Sequence, residues 1–278
     1  MNINIQPEFL NELVENFAKN LTNDDTLCNL SGFTPENANY SNLEYQKLYA
    51  LKYLPAYYFE YSVLAKILND RLKQLKLDKV KVLSLGCGLI PDYYALEHNL
   101  SCVEFEYYGV DACKWEARAY LPSYNSKKVN LYTDTVDKLT SKHVSAFDVI
   151  VFPKSIGDID SNANLNNLAA EIAKTTKNKL YFLNSFVSYS VQNKEHIKLF
   201  EKIHDKLLGA GFTTSDKHRS SFYFGSRLGI GLKAINYDFN YHSDGFELCE
   251  EDCDGCSVIK SPILTNHYMD FQILEYSR

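Results

Sequence analysis

The feature that most constrains this chain is an alternation of strand-like and helix-like runs between Asp78 and Gly211. Val80–Leu85, Tyr107–Val110, Lys128–Tyr132, Phe147–Phe152 and Lys179–Leu183 are short, apolar and β-rich. Asp92–His98, Lys114–Leu121, Leu165–Thr175 and Lys194–Leu208 read as helices among and after them. The last of these carries Ile197, Phe200, Ile203 and Leu207 on one side, and Gly209 and Gly211 would end it. Strands that are apolar along their whole length are covered by helices on both faces. The pattern therefore predicts an α/β fold built on a doubly wound, mostly parallel sheet.

Different material flanks this alternating region. Residues 1–77 read as a helical N-terminal attachment, a cap or lid. Leu10, Leu13, Val14 and Phe17 predict a helix near 7–19, and residues 20–42, rich in Asn, Thr and Ser, read as loop. A second helix is expected over Leu43–Leu54, with Pro55 interrupting or kinking it. Leu64, Leu68, Leu72 and Leu75 then put one stripe on a helix from Ala56 to Leu75. At the other end, Ser221–Phe224 and Phe271–Tyr276 read as late strands. The irregular stretch between them, about 225–270, reads as an insertion with room for a strand at Leu232–Tyr237.

Composition narrows the function classes. The formal net charge of −6 argues against a strongly basic nucleic-acid clamp, though it leaves a local basic face open. Seven cysteines, an odd number spread through the chain, fit a reducing compartment better than a disulfide framework. No run approaches the ~20 apolar residues of a membrane span. The first residues also lack the basic-then-apolar order of a signal peptide. The expected location is cytoplasmic, with no membrane partner.

The sharpest local feature is Val82-Leu83-Ser84-Leu85-Gly86-Cys87-Gly88-Leu89-Ile90-Pro91-Asp92, where the first strand should turn into a helix. Gly86 and Gly88 allow backbone to approach a ligand at the sheet's C-terminal edge, and Pro91 suits a first helical turn. Asp111 ends the second strand 25 residues after Gly86. A carboxylate there can accept both hydroxyls of a ribose, or cap the following helix, or do both. A dinucleotide fingerprint would place a third glycine where this chain has Pro91, which disfavours NAD and FAD. S-adenosyl-L-methionine has the ribose and the adenine but no phosphate.

On these residues the chain resembles the class I S-adenosylmethionine-dependent methyltransferases, with a Rossmann-like fold. The resemblance is carried by Leu83–Gly88, by Tyr108-Gly109-Val110-Asp111, by Asp134 after the third strand and by Pro153-Lys154-Ser155 after the fourth. It covers roughly residues 78–224 and the last strand. It implies a seven-stranded sheet that finishes in an antiparallel hairpin, for which Phe222–Phe224 and Phe271–Tyr276 are the candidates. It implies that Gly86, Cys87 and Gly88 lie against the methionine part of the cofactor and that Asp111, with Ala112 beside it, holds the ribose. Asp134 and Thr135 would contact the adenine, and Pro153 would line the reaction centre. The long stretch before the last strand departs from the family pattern and requires an insertion.

Methyl transfer needs alignment of the acceptor, and a base if the acceptor is protonated. Lys154 and Asp158 are the local candidates, Lys154 to hold an anionic acceptor and Asp158 to orient or deprotonate one. Solvated roles for both remain open. The Asn/Asp-Pro-Pro-aromatic motif of base-amine methylation is replaced by Phe152-Pro153-Lys154-Ser155. Tyr45, Tyr49 and Tyr53 share a helical face. They either wall a pocket for an aromatic or cationic acceptor or pack an attached helix.

Cys249, Cys253 and Cys256 form C-x3-C-x2-C. Only 22 residues follow, which argues against a radical enzyme. Three thiolates with His242 or His267 would make a structural zinc site, although the surrounding acids leave unligated cysteines as the alternative. The combined expectation is methyl transfer from S-adenosylmethionine to a small-molecule acceptor. An RNA or protein methyltransferase, an aminopropyl-type transferase and a non-catalytic scaffold remain as alternatives. A homo-oligomer is compatible with the sequence, with residues 1–77 either lid or interface.

Overall fold

The computed structural model describes residues 3–20, 39–75, 77–187, 191–216 and 269–278. Two helices come first, α1 (Pro7–Lys19) and α2 (Leu43–Leu72). Then follow β1 (Lys79–Leu85), α3 (Pro91–Asn99), β2 (Glu104–Asp111), β3 (Val129–Thr133), α4 (Ser141–Val144) and β4 (Val149–Pro153). The chain continues through α5 (Ile156–Asn162), α6 (Leu165–Ala173), β5 (Lys179–Val187), α7 (Val191–Gly209) and β6 (Met269–Ser277).

Among the described residues there are six strands in one sheet, ordered β3-β2-β1-β4-β5-β6. All neighbours are parallel except β6, which runs antiparallel to β5 with Lys179 opposite Ser277 and Val187 opposite Met269. β1 pairs with both β2 and β4, so the winding reverses on either side of it. A crevice opens at such a reversal, at the C-terminal ends of the strands. The expected α/β class and mostly parallel sheet are present. The expected seventh strand is not among the described residues: Ser221–Phe224, Leu232–Tyr237 and positions 225–268 of the expected insertion lie outside them, and its last two positions, 269 and 270, belong to β6.

Strand alternation divides the core in two. Val80, Val82, Val149, Val151, Tyr181, Leu183, Phe271 and Ile273 face a cluster that includes α1, α2 and α3 side chains. Leu83, Leu85, Ile150, Phe152, Leu180, Phe182, Leu274 and Tyr276 face the other cluster, with Leu168 and Ile172 of α6 and Phe200, Ile203 and Leu207 of α7. α2 therefore supplies a covering layer of the sheet: Tyr58, Phe59, Val63, Leu64 and Leu68 are fully or almost fully buried.

Two expected elements differ. The break at Pro55 is absent, and α2 runs through it as one 30-residue helix. Proline removes one N–H donor, but Leu51, Leu54, Tyr58 and Phe59 bury apolar surface on both sides of it, and that packing holds the turns together. The expected helix over Lys114–Leu121 is only a 3-10 turn, Glu116–Tyr120. The buried amide of Gln46 intervenes. Its Nε2 donates to the Lys114 carbonyl at 2.8 Å and its Oε1 accepts from the Ala117 N–H at 2.9 Å, so a side chain from α2 takes hydrogen bonds that an α-helix would otherwise make.

Gly109 in β2 shows how tightly the crevice is built. A Cβ there would lie 2.6 Å from Cys87 Sγ and 2.9 Å from Leu131 Cδ2. Gly109→Ala should lower unfolding free energy by about 1–3 kcal/mol in urea titrations, because overpacking must push the glycine loop or β3 aside. Unchanged stability would show that the loop yields freely.

Candidate active site

The loop after β1 is shaped by backbone that only glycine adopts easily. Gly86 has φ +76° and Gly88 φ +49°. The N–H groups of Gly86 and Cys87 both donate to the Val110 carbonyl, at 2.7 and 3.3 Å, which ties the loop to the end of β2. Gly86 is needed by the protein itself: a Cβ there would lie 2.5 Å from Ser155 Cβ, where the loop after β4 crosses it. Around Gly88 a Cβ would reach only ordinary contact with Trp115, at 3.5 Å. Ile90, at φ 51°, then turns the chain into α3 with Pro91 as its first residue.

Asp111 closes this arrangement. Its Oδ2 accepts from the Gly88 N–H at 2.8 Å and its Oδ1 from the Cys113 N–H at 2.9 Å. Each carboxylate oxygen retains a second lone pair. Ala112 beside it is exposed. Arg118 braces the loop from the far side, with Nε donating to the Gly88 carbonyl at 2.9 Å and Nη2 lying 3.3 Å from Cys87 Sγ. Burial pushes the Cys87 thiol well up, with Arg118 only partly opposing it, so Cys87 is a packed thiol and not a nucleophile. Trp115, beside Gly88, buries its Nε1–H without a hydrogen-bond partner among the described residues. An orphaned donor of this kind costs about 1–3 kcal/mol unless something accepts from it.

After β3, Asp134 donates its own N–H to the Asp111 carbonyl at 2.9 Å. Its carboxylate accepts from the Thr135 N–H at 2.8 Å and pairs with Lys138 at 2.8 Å. The Lys138 contact and the Thr135 N–H hold that carboxyl below its ordinary range.

After β4, Pro153 pairs with Ser185 of β5, and Lys154 adopts φ 58°. The Lys154 side chain turns inward. Its ammonium pairs with Glu60 of α2 and sits 4.0 Å above the Tyr57 ring. Both members of the pair are almost wholly buried, 8 % and 2 % exposed. Burial pushes the Lys154 amine down and the Glu60 carboxyl up, each opposed by the other's charge. Lys154 therefore reaches the site with its charge already matched. Asp158 opens α5 and is exposed, with no partner for its carboxylate among the described residues. Partial desolvation and, less strongly, Asp111 raise that carboxyl, while His196 opposes them. His196 of α7 packs its ring on Gly157.

Tyrosines of α2 run along the C-terminal edge of the sheet. Tyr49, Tyr53, Tyr57 and Tyr61 follow one another at ring-centroid separations of 5.1, 5.7 and 6.2 Å. The Tyr61 hydroxyl meets Ser185 Oγ at 3.3 Å at the β5 end, and Tyr49 meets Trp115 at 5.4 Å at the β1–β2 end. Tyr40 joins that end, 5.4 Å from Trp115 and 5.7 Å from Tyr49. Tyr45 lies behind it at 5.5 Å.

The structure thus brings Gly86, Cys87, Gly88, Asp111, Trp115, Pro153, Lys154 and Asp158 to one edge, with Asp134 and Thr135 adjoining. Glu60, Trp115, Arg118 and His196 were not legible as site residues. Glu60 interrupts an otherwise apolar helix face one turn after Tyr57, which was the available signal. His204 is buried and bonded to the Tyr276 hydroxyl at 2.7 Å, a structural role. Cys249, Cys253, Cys256, His242 and His267 lie outside the described residues. Among the described residues no group of His, Cys, Asp and Glu is placed to hold a metal ion, and no helix is long and apolar enough to cross a membrane.

No family model matches the chain, and no curated protein matches it in sequence. Solved structures do resemble it in outline. One is the 1,6-didemethyltoxoflavin-N1-methyltransferase of Burkholderia thailandensis with bound 1,6-didemethyltoxoflavin and S-adenosylhomocysteine. It is 12 % identical over 79 % of this chain and 78 % of that chain, with a TM-score of 0.42. A TehB-like SAM-dependent methyltransferase of Corynebacterium glutamicum is 10 % identical over 76 % and 86 %, with a TM-score of 0.38. Fibrillarin of Aeropyrum pernix, with S-adenosyl-L-methionine, is 13 % identical over 57 % and 69 %, with a TM-score of 0.37. Similarity at this level carries no weight for function.

Beneath the loop, Asp92 is 2 % exposed and accepts from the Tyr107 hydroxyl at 3.0 Å on both oxygens. Burial pushes its carboxyl from 3.8 up to about 6. A pKa raised by folding means that stability is greatest with the group protonated and falls as pH rises through the folded value. Ionised Asp92 thus costs about 3 kcal/mol above pH 6. Asp92→Asn should raise stability over the natural protein at pH 8 and much less at pH 4.5, in urea titrations at both. An equal difference at the two pH values would contradict this.

Proposed function

We propose that the chain transfers a methyl group from S-adenosyl-L-methionine to a small-molecule acceptor. The observation that carries this is the Asp111 junction. One carboxylate at the end of β2 fixes the left-handed Gly88 backbone, next to a buried indole N–H that has no partner among the described residues. The residues fit the cofactor in kind. Asp111 would accept the ribose hydroxyls through its remaining lone pairs, and Gly88 leaves room where a side chain would stand. The Trp115 N–H would find an acceptor on the ligand, and Asp134 with Thr135 would lie at the adenine. The bound cofactor supplies an electrophilic methyl on a sulfonium, which requires no metal for transfer.

The chain's own residues would then position the acceptor. The tyrosine row and the loop after β4 would flank the acceptor at the sheet edge and help to keep water from it. Lys154, paired with Glu60, anchors α2 to that loop. A dinucleotide fits less well: Pro91 stands at the third glycine position, and Ile90 gives the following helix no side-chain cap. The net charge of −6 supports a small acceptor over RNA.

Asp111→Ala should weaken S-adenosylhomocysteine binding by about 10-fold or more, the scale of lost charged hydrogen bonds. Titration calorimetry measures this, with circular dichroism to confirm the fold. Undiminished affinity in a folded variant would remove the ribose assignment.

A further inference from the structure

The Trp115 indole is 7 % exposed at the glycine loop, and its N–H has no acceptor among the described residues. Its placement is specific. The two indole atoms nearest to where a Gly88 Cβ would stand are Cζ2, at 3.5 Å, and Cε2, at 3.7 Å. Cε2 carries Nε1, so the unpaired N–H lies on the ring edge that meets the loop. Gly88 does not serve it: the Gly88 N–H donates to Asp111 and the Gly88 carbonyl accepts from Arg118.

The rings around it hold this arrangement. Tyr40 and Tyr49 each lie 5.4 Å from the indole and 5.7 Å from one another, so three rings in mutual contact shield the N–H. Gln46, itself 1 % exposed, fixes the set. Its Nε2 donates to the Tyr40 and Lys114 carbonyls at 2.6 and 2.8 Å, and its Oε1 accepts from the Ala117 N–H at 2.9 Å. One amide thus holds the backbone on both sides of Trp115 and the neighbouring ring. A donor held this firmly and left unpaired is a site prepared for an acceptor that arrives with a ligand.

The charge nearby says which acceptor. Lys154 is already matched by Glu60, but Arg118, on the Gly88 carbonyl and beside Cys87 Sγ, meets no carboxylate among the described residues. Its guanidinium braces the loop and does not itself reach the ligand, yet its field favours an anion at Gly88. S-adenosyl-L-methionine has one anionic group, the carboxylate of its amino-acid end. Asp111 already receives the Gly88 and Cys113 N–H groups, and its free lone pairs suit hydroxyl donors, so the two ends of the cofactor fall to different residues. We infer that Trp115 Nε1–H, positioned by Gln46 and backed by the Arg118 charge, donates to the cofactor carboxylate and makes the site select a sulfonium donor that retains it. The inference rests on the cofactor reading above. It sets methyl transfer apart from aminopropyl-type transfer, whose sulfonium donor has lost that carboxylate.

The test is calorimetry on the full chain with S-adenosylhomocysteine and with its decarboxylated analogue, which differ in the carboxylate alone. The unmodified chain should bind S-adenosylhomocysteine about 10-fold more tightly, the scale of one charge-assisted hydrogen bond. Trp115→Phe keeps a ring and deletes the N–H. It should weaken S-adenosylhomocysteine by about 10-fold and leave the analogue unchanged. Gln46→Leu should shift the two affinities in the same unequal way, whereas a merely structural role would lower both alike. Asp111→Ala should weaken both alike, because both keep the ribose. Trp115 is the single tryptophan of the chain, so its emission should shift with S-adenosylhomocysteine and less with the analogue. Equal affinities in the unmodified chain, or equal losses in Trp115→Phe, overturn the proposal and leave the cofactor reading standing. Tighter binding of the analogue overturns it in favour of aminopropyl-type transfer. Binding of neither overturns the cofactor reading and this proposal with it.

Discussion

The junction of the β1 loop with the end of β2 is the constraint on which the site depends. The Val110 carbonyl takes two loop N–H groups and the Asp111 carboxylate takes a third. The loop has no regular secondary structure of its own, so these bonds and the Arg118 brace fix its path. Backbone fixed in a left-handed turn costs little at glycine and more elsewhere. The chain places glycine at two such positions and accepts Ile90 at a third, where Pro91 restarts the helix. The same residues that stabilise the turn are those that the proposed cofactor would meet at the strand ends.

A second dependence joins the first. α2 covers one face of the sheet and also hangs its tyrosines over the sheet edge. Gln46, one turn into that helix, holds Tyr40 through its carbonyl at 2.6 Å and fixes Lys114 and Ala117 around Trp115. Farther along, Glu60 holds Lys154. α2 thus organises both sides of the crevice, the β2 side through a neutral amide and the β4 side through an ion pair. Burying that ion pair gives little net stability, but removing one member would leave the other charge unpaired in the core. Its contribution is the fixed position of the β4 loop.

Most of the fold was legible in the sequence because the strands are short and mostly apolar, and β1 to β4 stop at Gly86, Asp111, Asp134 and Pro153. β1 through β5 lie within a few residues of their expected places, and β6 brackets the expected Phe271–Tyr276. The turn at Gly86 and Gly88 and the strand end at Asp111 were legible for the same local reason. The failures came from tertiary contacts. The 114–121 segment has helical residues, yet Gln46, 68 residues from Lys114, takes over its hydrogen bonding. Pro55 signals a break, but burial on both sides of α2 outweighs one missing donor. Lys154 reads as a free cation until Glu60, on a distant helix, is brought beneath it. No local pattern encodes such pairs.

The most direct test of the account is titration calorimetry of the unmodified chain with S-adenosylhomocysteine, with NAD as the comparison. The account predicts saturable binding of S-adenosylhomocysteine and none of NAD. Binding of NAD instead, or no heat from S-adenosylhomocysteine with a folded protein, would contradict it.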